Sequence, residues 1–144
     1  IVYGAASVGE VADATALSIA MMATFMGISR EVVKDVHDLQ GDAEEGRSTL
    51  PMKIGAQPAR NLAYLFALGG VIAIGAPFVL KWDGMEEWLI IFMVPALMKL
   101  IRLNGPLSSG DDATAIKGLL MAMVLGLVGI FTIAVLHSGQ WAGI

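Results

Sequence analysis

The sequence predicts an all-α fold, an integral membrane helical bundle of about four transmembrane helices. Three observations carry this. Of 144 residues, 56% are hydrophobic and only 15% are charged, whereas a soluble domain carries about 25% charged residues. The mean hydropathy is +0.73, on the membrane side of the range. Residues 61–80 and 118–136 contain no charged side chain, and each run is close to the roughly 20 apolar residues that cross a bilayer core.

The first predicted span is 11–29. Its charge-free part, residues 14–29, is short, and Val11 and Ala12 extend it. The second is 61–80. The third, 86–103, is built on WLIIFMVPALM, held between Glu87 and Lys99. It crosses a bilayer if Glu86, Glu87, Lys99 and Arg102 lie at the interfaces, the two cations by snorkelling. A run this short also reads as a buried helix of a soluble protein. The fourth span is 114–136. Gly69, Gly70, Gly75, Gly126 and Gly129 fall inside spans, where small residues let helices approach. Pro77 and Pro95 also lie inside spans, where they are tolerated as kinks.

Four spans leave three connections, 30–60, 81–87 and 99–117. The first holds Arg30, Lys34, Arg47, Lys53 and Arg60, and the third holds Lys99, Arg102 and Lys117. The second holds only Lys81. Eight cations against one put the first and third connections in the cytoplasm by the positive-inside rule. Trp82, Trp88 and Trp141 fall near the opposite ends of spans, as interfacial aromatics do. There is no cysteine, which excludes disulfides and thiolate metal sites. No basic patch interleaved with aromatics points to nucleic acid. The chain begins at Ile1 without a basic leader, so a signal peptide is not expected and a fragment of a longer protein is.

The stretch REVVKDVHDLQGD, residues 30–42, places four carboxylates at the end of the first apolar run. If the helix continues through it, Glu31, Asp35, Asp38 and Asp42 share about 60° of arc. Arg30, Lys34 and His37 then occupy the adjoining face. Gly41 is expected to end this helix and swing Asp42 out of register. Like charges four residues apart cost about 0.2–0.5 kcal/mol per pair. Acids at a helix C-terminus cost about 0.3–1 kcal/mol each against the macrodipole. A solvated polar face does not explain that choice of residue. A divalent cation does, because Mg²⁺ takes one or two carboxylates together with substrate phosphates, and Arg30 and Lys34 suit phosphate oxygens. Asp35, Asp38 and Asp42 are the candidate metal ligands. His37 lies outside the acid arc, and Glu44 and Glu45 are expected to face water. Asp111 and Asp112 read as a polar cap and first-turn acids of a helix.

The segment EEGRSTLPMKIGAQPAR follows. Gly46 and Gly55 allow turns there, and Pro51 and Pro58 are expected to break helices. Arg47 and Lys53 either reach a diphosphate or follow the positive-inside bias.

REVVKDVHDLQGDAEEGRSTLPMKIG resembles the second aspartate-rich motif of the UbiA superfamily of intramembrane prenyltransferases. The resemblance rests on Asp35, Asp38 and Asp42, spaced D-x-x-D-x-x-x-D, and on the tail Gly46, Ser48, Thr49, Leu50 and Pro51. The lead-in of Arg30-Glu31 and Lys34-Asp35 is most similar to the archaeal digeranylgeranylglyceryl phosphate synthase branch. The resemblance implies a nine-helix membrane domain, of which residues 1–144 are the C-terminal portion with the last four helices. It implies a first aspartate-rich motif on the missing N-terminal helices of the same fold, facing the motif seen here. It implies Mg²⁺ between the two motifs, a prenyl diphosphate donor and a lipid-like acceptor. It further implies catalytic roles for Asp35, Asp38, Asp42 and Lys34, and substrate binding by Arg30, Lys34, Arg47 and Lys53. In the archaeal branch the acceptor is geranylgeranylglyceryl phosphate, in ether-lipid synthesis at the cell membrane with the active-site loops cytoplasmic. An aromatic or quinone-precursor acceptor, and a non-catalytic transport or packing module, are the alternative readings. Transport is disfavoured because the midspan regions carry no charge.

Overall fold

The computed structural model describes residues 14–79 and 89–141. Every element in this range is helical. Four long helices stand where the apolar runs predict them: α1 (Ala14–His37), α4 (Ala56–Val79), α5 (Leu89–Arg102) and α7 (Asp112–Trp141). Three short helices fill the connections: α2 (Leu39–Glu44), α3 (Leu50–Ile54) and α6 (Asn104–Ser109). Residues 1–13, 80–88 and 142–144 lie outside the described residues. So do the predicted start of the first span, the whole middle connection, Trp82 and Trp88.

The boundaries differ from the sequence reading where proline is concerned. α4 begins at Ala56, not at 61, and Pro58 lies in its first turn. Pro51 sits at the start of α3 and is fully buried. Neither proline breaks a helix. The amide each lacks is one that a first turn leaves without an intrahelical partner, and their fixed φ is already helical. Pro95 lies within α5.

α1 packs chiefly on α4, α5 packs on α7, and α7 closes the group by packing on α1. The α1–α4 contact is close because small residues line it. Ala59, Ala63 and Ala67 recur every fourth residue on α4 and are buried with Val33, Val36 and Met26 of α1. Further along, Gly69 faces the Phe25 ring and Gly70 faces Met26. Phe25 and Phe66 stack with centroids 6.1 Å apart, within the range of favourable aromatic pairs. Such interfaces join membrane helices by packing rather than by a hydrophobic driving force.

The outer surface is apolar. Leu65, Ile72 and Phe131 are 62%, 70% and 71% exposed, which in water would constitute large uncovered patches. Ala56–Ala76 and Asp112–Gly129 are each long and apolar enough to cross a membrane. The described part of α5 is only 14 residues, shorter than a bilayer crossing requires.

Candidate active site

The acidic stretch lies on α1 and α2. α1 does continue past the apolar run and ends at His37. At Asp38 the backbone turns to φ −91° and ψ 6°, which separates α1 from α2. The Asp38 amide donates to the Lys34 carbonyl at 2.9 Å, and the Asp42 amide donates to the Asp38 carbonyl at 3.0 Å. Asp42 nevertheless lies close enough for its charge to act on Asp35. Gly41 does not end the helix; it lies inside α2.

The terminator is Gly46, with φ 70°. The Gly46 amide donates to the Ala43 carbonyl at 3.2 Å, and the Arg47 amide donates to the Asp42 carbonyl at 2.9 Å. This is the Schellman pattern, which needs a left-handed residue and so favours glycine. It folds the chain back so that Arg47 Nη2 meets Glu45 Oε2 at 2.7 Å, with Nη1 3.6 Å from Asp42 Oδ1. Two-thirds of the Arg47 side chain remains in solvent, while the Asp42 side chain is largely covered.

Asp35 is half-buried on the same face. Its carboxyl pKa is raised above the ordinary value, first by burial and then by the charges of Asp42 and Glu31. Lys34 opposes the shift and Asp38 adds to it. Glu31, Lys34, Asp35, Asp38 and Asp42 thus share one electrostatic neighbourhood. Among the described residues, no three histidine, aspartate or glutamate side chains converge to hold a metal ion. A convex helical arc offers its oxygens outward, toward whatever lies opposite.

The cations around this arc are arranged differently from one another. Arg30 donates through Nη1 to Glu31 Oε1 at 3.1 Å, while its Nε is buried without a hydrogen-bond partner. Lys34 and His37 are exposed. Lys53 is exposed in the last turn of α3. Ser29 Oγ and Thr49 Oγ1 are also buried without a hydrogen-bond partner among the described residues. Unsatisfied buried polar groups are rare and call for a specific cause; these three belong to the residues before and after the acid arc.

Asp111 caps α7, its Oδ1 accepting from the Thr114 amide at 3.1 Å. Its pKa is lowered first by a hydrogen bond with the Thr114 side chain and then by this amide bond. Asp112 does more than occupy a first turn. It is buried and joined to Arg60 by two hydrogen bonds, a pairing the sequence reading missed. No local pattern announces it, because Arg60 is accounted for by the positive-inside bias and Asp112 by the helix start.

The chain matches the model of the UbiA prenyltransferase family over residues 1–115. It is 37% identical over 112 residues to the digeranylgeranylglyceryl phosphate synthase of Haloquadratum walsbyi, covering 78% of this chain and 38% of that protein. The synthase of the same name from Methanosarcina mazei is 33% identical over 119 residues, covering 78% and 41%. That of Thermococcus gammatolerans is 33% identical over 136 residues, covering 93% and 48%. The chain thus spans between about two-fifths and half of the length of these curated relatives. No solved structure matches it.

Proposed function

Because the chain belongs to the UbiA prenyltransferase family, we propose that it carries one half of an active site for Mg²⁺-dependent prenyl transfer. The transferred group is geranylgeranyl, and the acceptor is the hydroxyl of geranylgeranylglyceryl phosphate in archaeal ether-lipid synthesis. The observation that carries this reading is the carboxylate arc on α1 and α2, flanked by Arg30, Lys34 and Arg47 and borne by a chain similar to synthases of that name. The four long helices are then the last four of a nine-helix membrane domain, with α2, α3 and α6 on the cytoplasmic side.

The donor set suits Mg²⁺. It is made of hard carboxylate oxygens, and burial followed by their mutual crowding raises the Asp35 pKa. Mg²⁺ needs only one or two carboxylates when substrate phosphates complete its shell, so a full cage on this half is not required. Asp35, Asp38 and Asp42 would hold it. When bound, the ion neutralises charge that develops on the departing pyrophosphate.

The chain's own residues do the rest. Lys34, exposed beside the arc, and Arg30 provide donors for diphosphate oxygens. Arg47 can exchange its exposed pairing with Glu45 and Asp42 for a phosphate. Lys53 is a second-line cation for either anionic substrate. The apolar helix faces beyond the arc exclude water, which protects an allylic cation until the acceptor oxygen attacks it. The C–O bond to diphosphate breaks, the new ether bond forms, and the acceptor's hydroxyl proton is released.

The test is transfer of labelled geranylgeranyl from its diphosphate by the complete gene product in detergent. Asp38→Asn or Asp42→Asn should abolish Mg²⁺-dependent turnover. Lys34→Ala should raise the KM for the diphosphate more than that for the acceptor. Normal turnover by either aspartate variant would refute the site, and transfer only to an aromatic acceptor would replace the acceptor.

A further inference from the structure

The outer faces of α5 and α7 both end in basic residues. On α5, Val94, Met98 and Ile101 are exposed, and at 100° per residue Arg102 falls within about 100° of arc with them. On α7, Leu120, Val124 and Phe131 are exposed, and Lys117 falls within about 60° of arc with them. The opposite sides are buried, with Ala115 and Leu119 on α7, and Leu100 and the adjoining Leu103 on the α5 side. The two basic ends stand at one level. α5 packs on α7, and a Cβ on Gly118 would lie 2.7 Å from Leu103 Cδ2. Lys117, one residue from Gly118, is therefore beside the last turn of α5, which carries Lys99 and Arg102. Arg102 and Lys117 are exposed and Lys99 is half-buried.

Residue size separates the faces that meet helices from those that do not. On α7, Gly118 faces Leu103 and Gly126 faces Met22, both toward the side of Ala115 and Leu119. The outer faces carry large side chains instead. Close helix contacts in a membrane use small residues, so these faces suit lipid chains. Charge narrows the occupant further. Between Leu89 and Trp141 the acids are Asp111 and Asp112. Asp112 is committed to Arg60. Asp111 accepts from Thr114, and Lys117 has a lesser effect on it. None of Lys99, Arg102 and Lys117 forms a salt bridge among the described residues. Three positive charges thus gather where two apolar faces end, and long basic side chains reach the headgroup level from such a position.

We propose that Lys99, Arg102 and Lys117 form a docking surface for the anionic headgroup of a bilayer lipid, whose chains lie along the outer faces of α5 and α7. An amphiphile meets both features at once. Its phosphate lies at the level of the cations, and its chains cover the apolar rows below them. A soluble phosphate meets only the first feature, and a lipid of neutral headgroup only the second. The surface is built on other helices than the acid arc, so it seats the protein among anionic lipids and holds no substrate. Each basic residue near an anionic lipid surface contributes about fivefold to binding, and salt weakens that contribution.

The experiment titrates the complete gene product in detergent with fluorescent phosphatidylglycerol and, separately, with phosphatidylcholine of the same chains. Phosphatidylglycerol should bind more tightly by roughly tenfold or more. Arg102→Gln combined with Lys117→Gln should weaken phosphatidylglycerol by about 25-fold, about fivefold for each charge removed, and leave phosphatidylcholine unmoved. Arg102→Lys, which keeps the charge, should bind as the parent does. Equal affinity of the parent for the two lipids overturns the inference, and so does an equal loss for both lipids in the double variant, which would mean that another helix or plain apolar contact covers these faces. Displacement of the lipid by an equal concentration of inorganic phosphate would reveal a site for a free anion and overturn it. A raised KM for a phosphate-bearing acceptor, with lipid affinity unchanged, would assign the cations to substrate and overturn it too. If the double variant does not fold, the parent decides: affinity for phosphatidylglycerol that falls with added salt supports the inference, and affinity indifferent to salt overturns it.

Discussion

Arg60 and Asp112, 52 residues apart in sequence, meet side-on, with Nε–Oδ1 and Nη2–Oδ2 both at 2.7 Å. The side chains are only 16% and 7% exposed. The guanidinium also donates to Gln57, and Nη2 lies 3.7 Å from where a Cβ on Gly110, at φ 80°, would sit. One planar fork thus ties the first turn of α4 to the turn that starts α7. Buried pairs return little when intact but cost about 3–5 kcal/mol when one partner is removed, because the other charge is left unpaired. Arg60→Met should therefore destabilise the protein by about 3 kcal/mol. Arg60→Met combined with Asp112→Leu should recover much of that loss. Thermal unfolding in detergent, with both single variants and the double, measures the coupling; additive losses would show that the pair is not a unit.

Asp35 offers a trade between stability and catalysis. Its carboxyl pKa is raised by burial and neighbouring acids, so the folded state holds the proton more tightly than the unfolded state does. The ionised form is therefore the unfavourable one in the fold. Stability falls as pH rises from the ordinary carboxylate value through the raised one, and it is recovered below that window. Asp35→Asn should melt higher than the parent at neutral pH in EDTA, with the difference shrinking as the pH drops below the ordinary carboxylate range. The same variant should be inactive. A variant that melts lower at neutral pH would contradict the sign.

The long helices and the acid arc were legible in the sequence because both are local. An apolar run or a four-residue spacing is read along one helix without knowing its neighbours. Gly41 was misjudged because a glycine within a helical stretch does not show whether it takes a positive φ. Gly46 takes it, and Gly41 does not. Pro58 was misjudged because a proline at the start of a helix looks, in sequence, like one that ends it. The Ala59, Ala63 and Ala67 stripe was visible but not singled out, since alanine at that spacing is ordinary until the opposing helix shows why nothing larger fits. Arg60 and Asp112 were beyond reach, because each has a sufficient local explanation and only the fold brings them together.

Gly46 should be sensitive although nothing lies within 4 Å of the position a Cβ would take. Its cost is conformational: a left-handed residue with a Cβ loses about 1–2 kcal/mol. Gly46→Val should loosen the α2–α3 turn and release Arg47 from Asp42, whereas Gly46→Asn, which visits this region more readily, should be milder. Limited proteolysis reads the difference as faster cleavage near residues 45–48 in the valine variant. Equal protection in both variants would mean that the turn does not depend on the Schellman geometry.

Gly118 and Gly70 both face a side chain on a neighbouring helical segment, but their substitution should differ. A Cβ at Gly118 would lie 2.7 Å from Leu103 Cδ2, and Leu103 is 3% exposed. Leu103 sits between α5 and α6 in the buried cluster, so its branched end has little room to withdraw. At Gly70 the nearest atom is Met26 Cγ at 3.1 Å, on an unbranched chain that adjusts with little strain. Overpacking a filled site typically costs about 1–3 kcal/mol. Gly118→Ala should lie in that range and Gly70→Ala below it, in thermal unfolding of the detergent-solubilised protein. Leu103→Ala should rescue Gly118→Ala in part, because the methyl that clashes is the one removed. If Leu103→Ala only adds its own cavity cost to that of Gly118→Ala, the two residues do not share the contact on which the prediction depends.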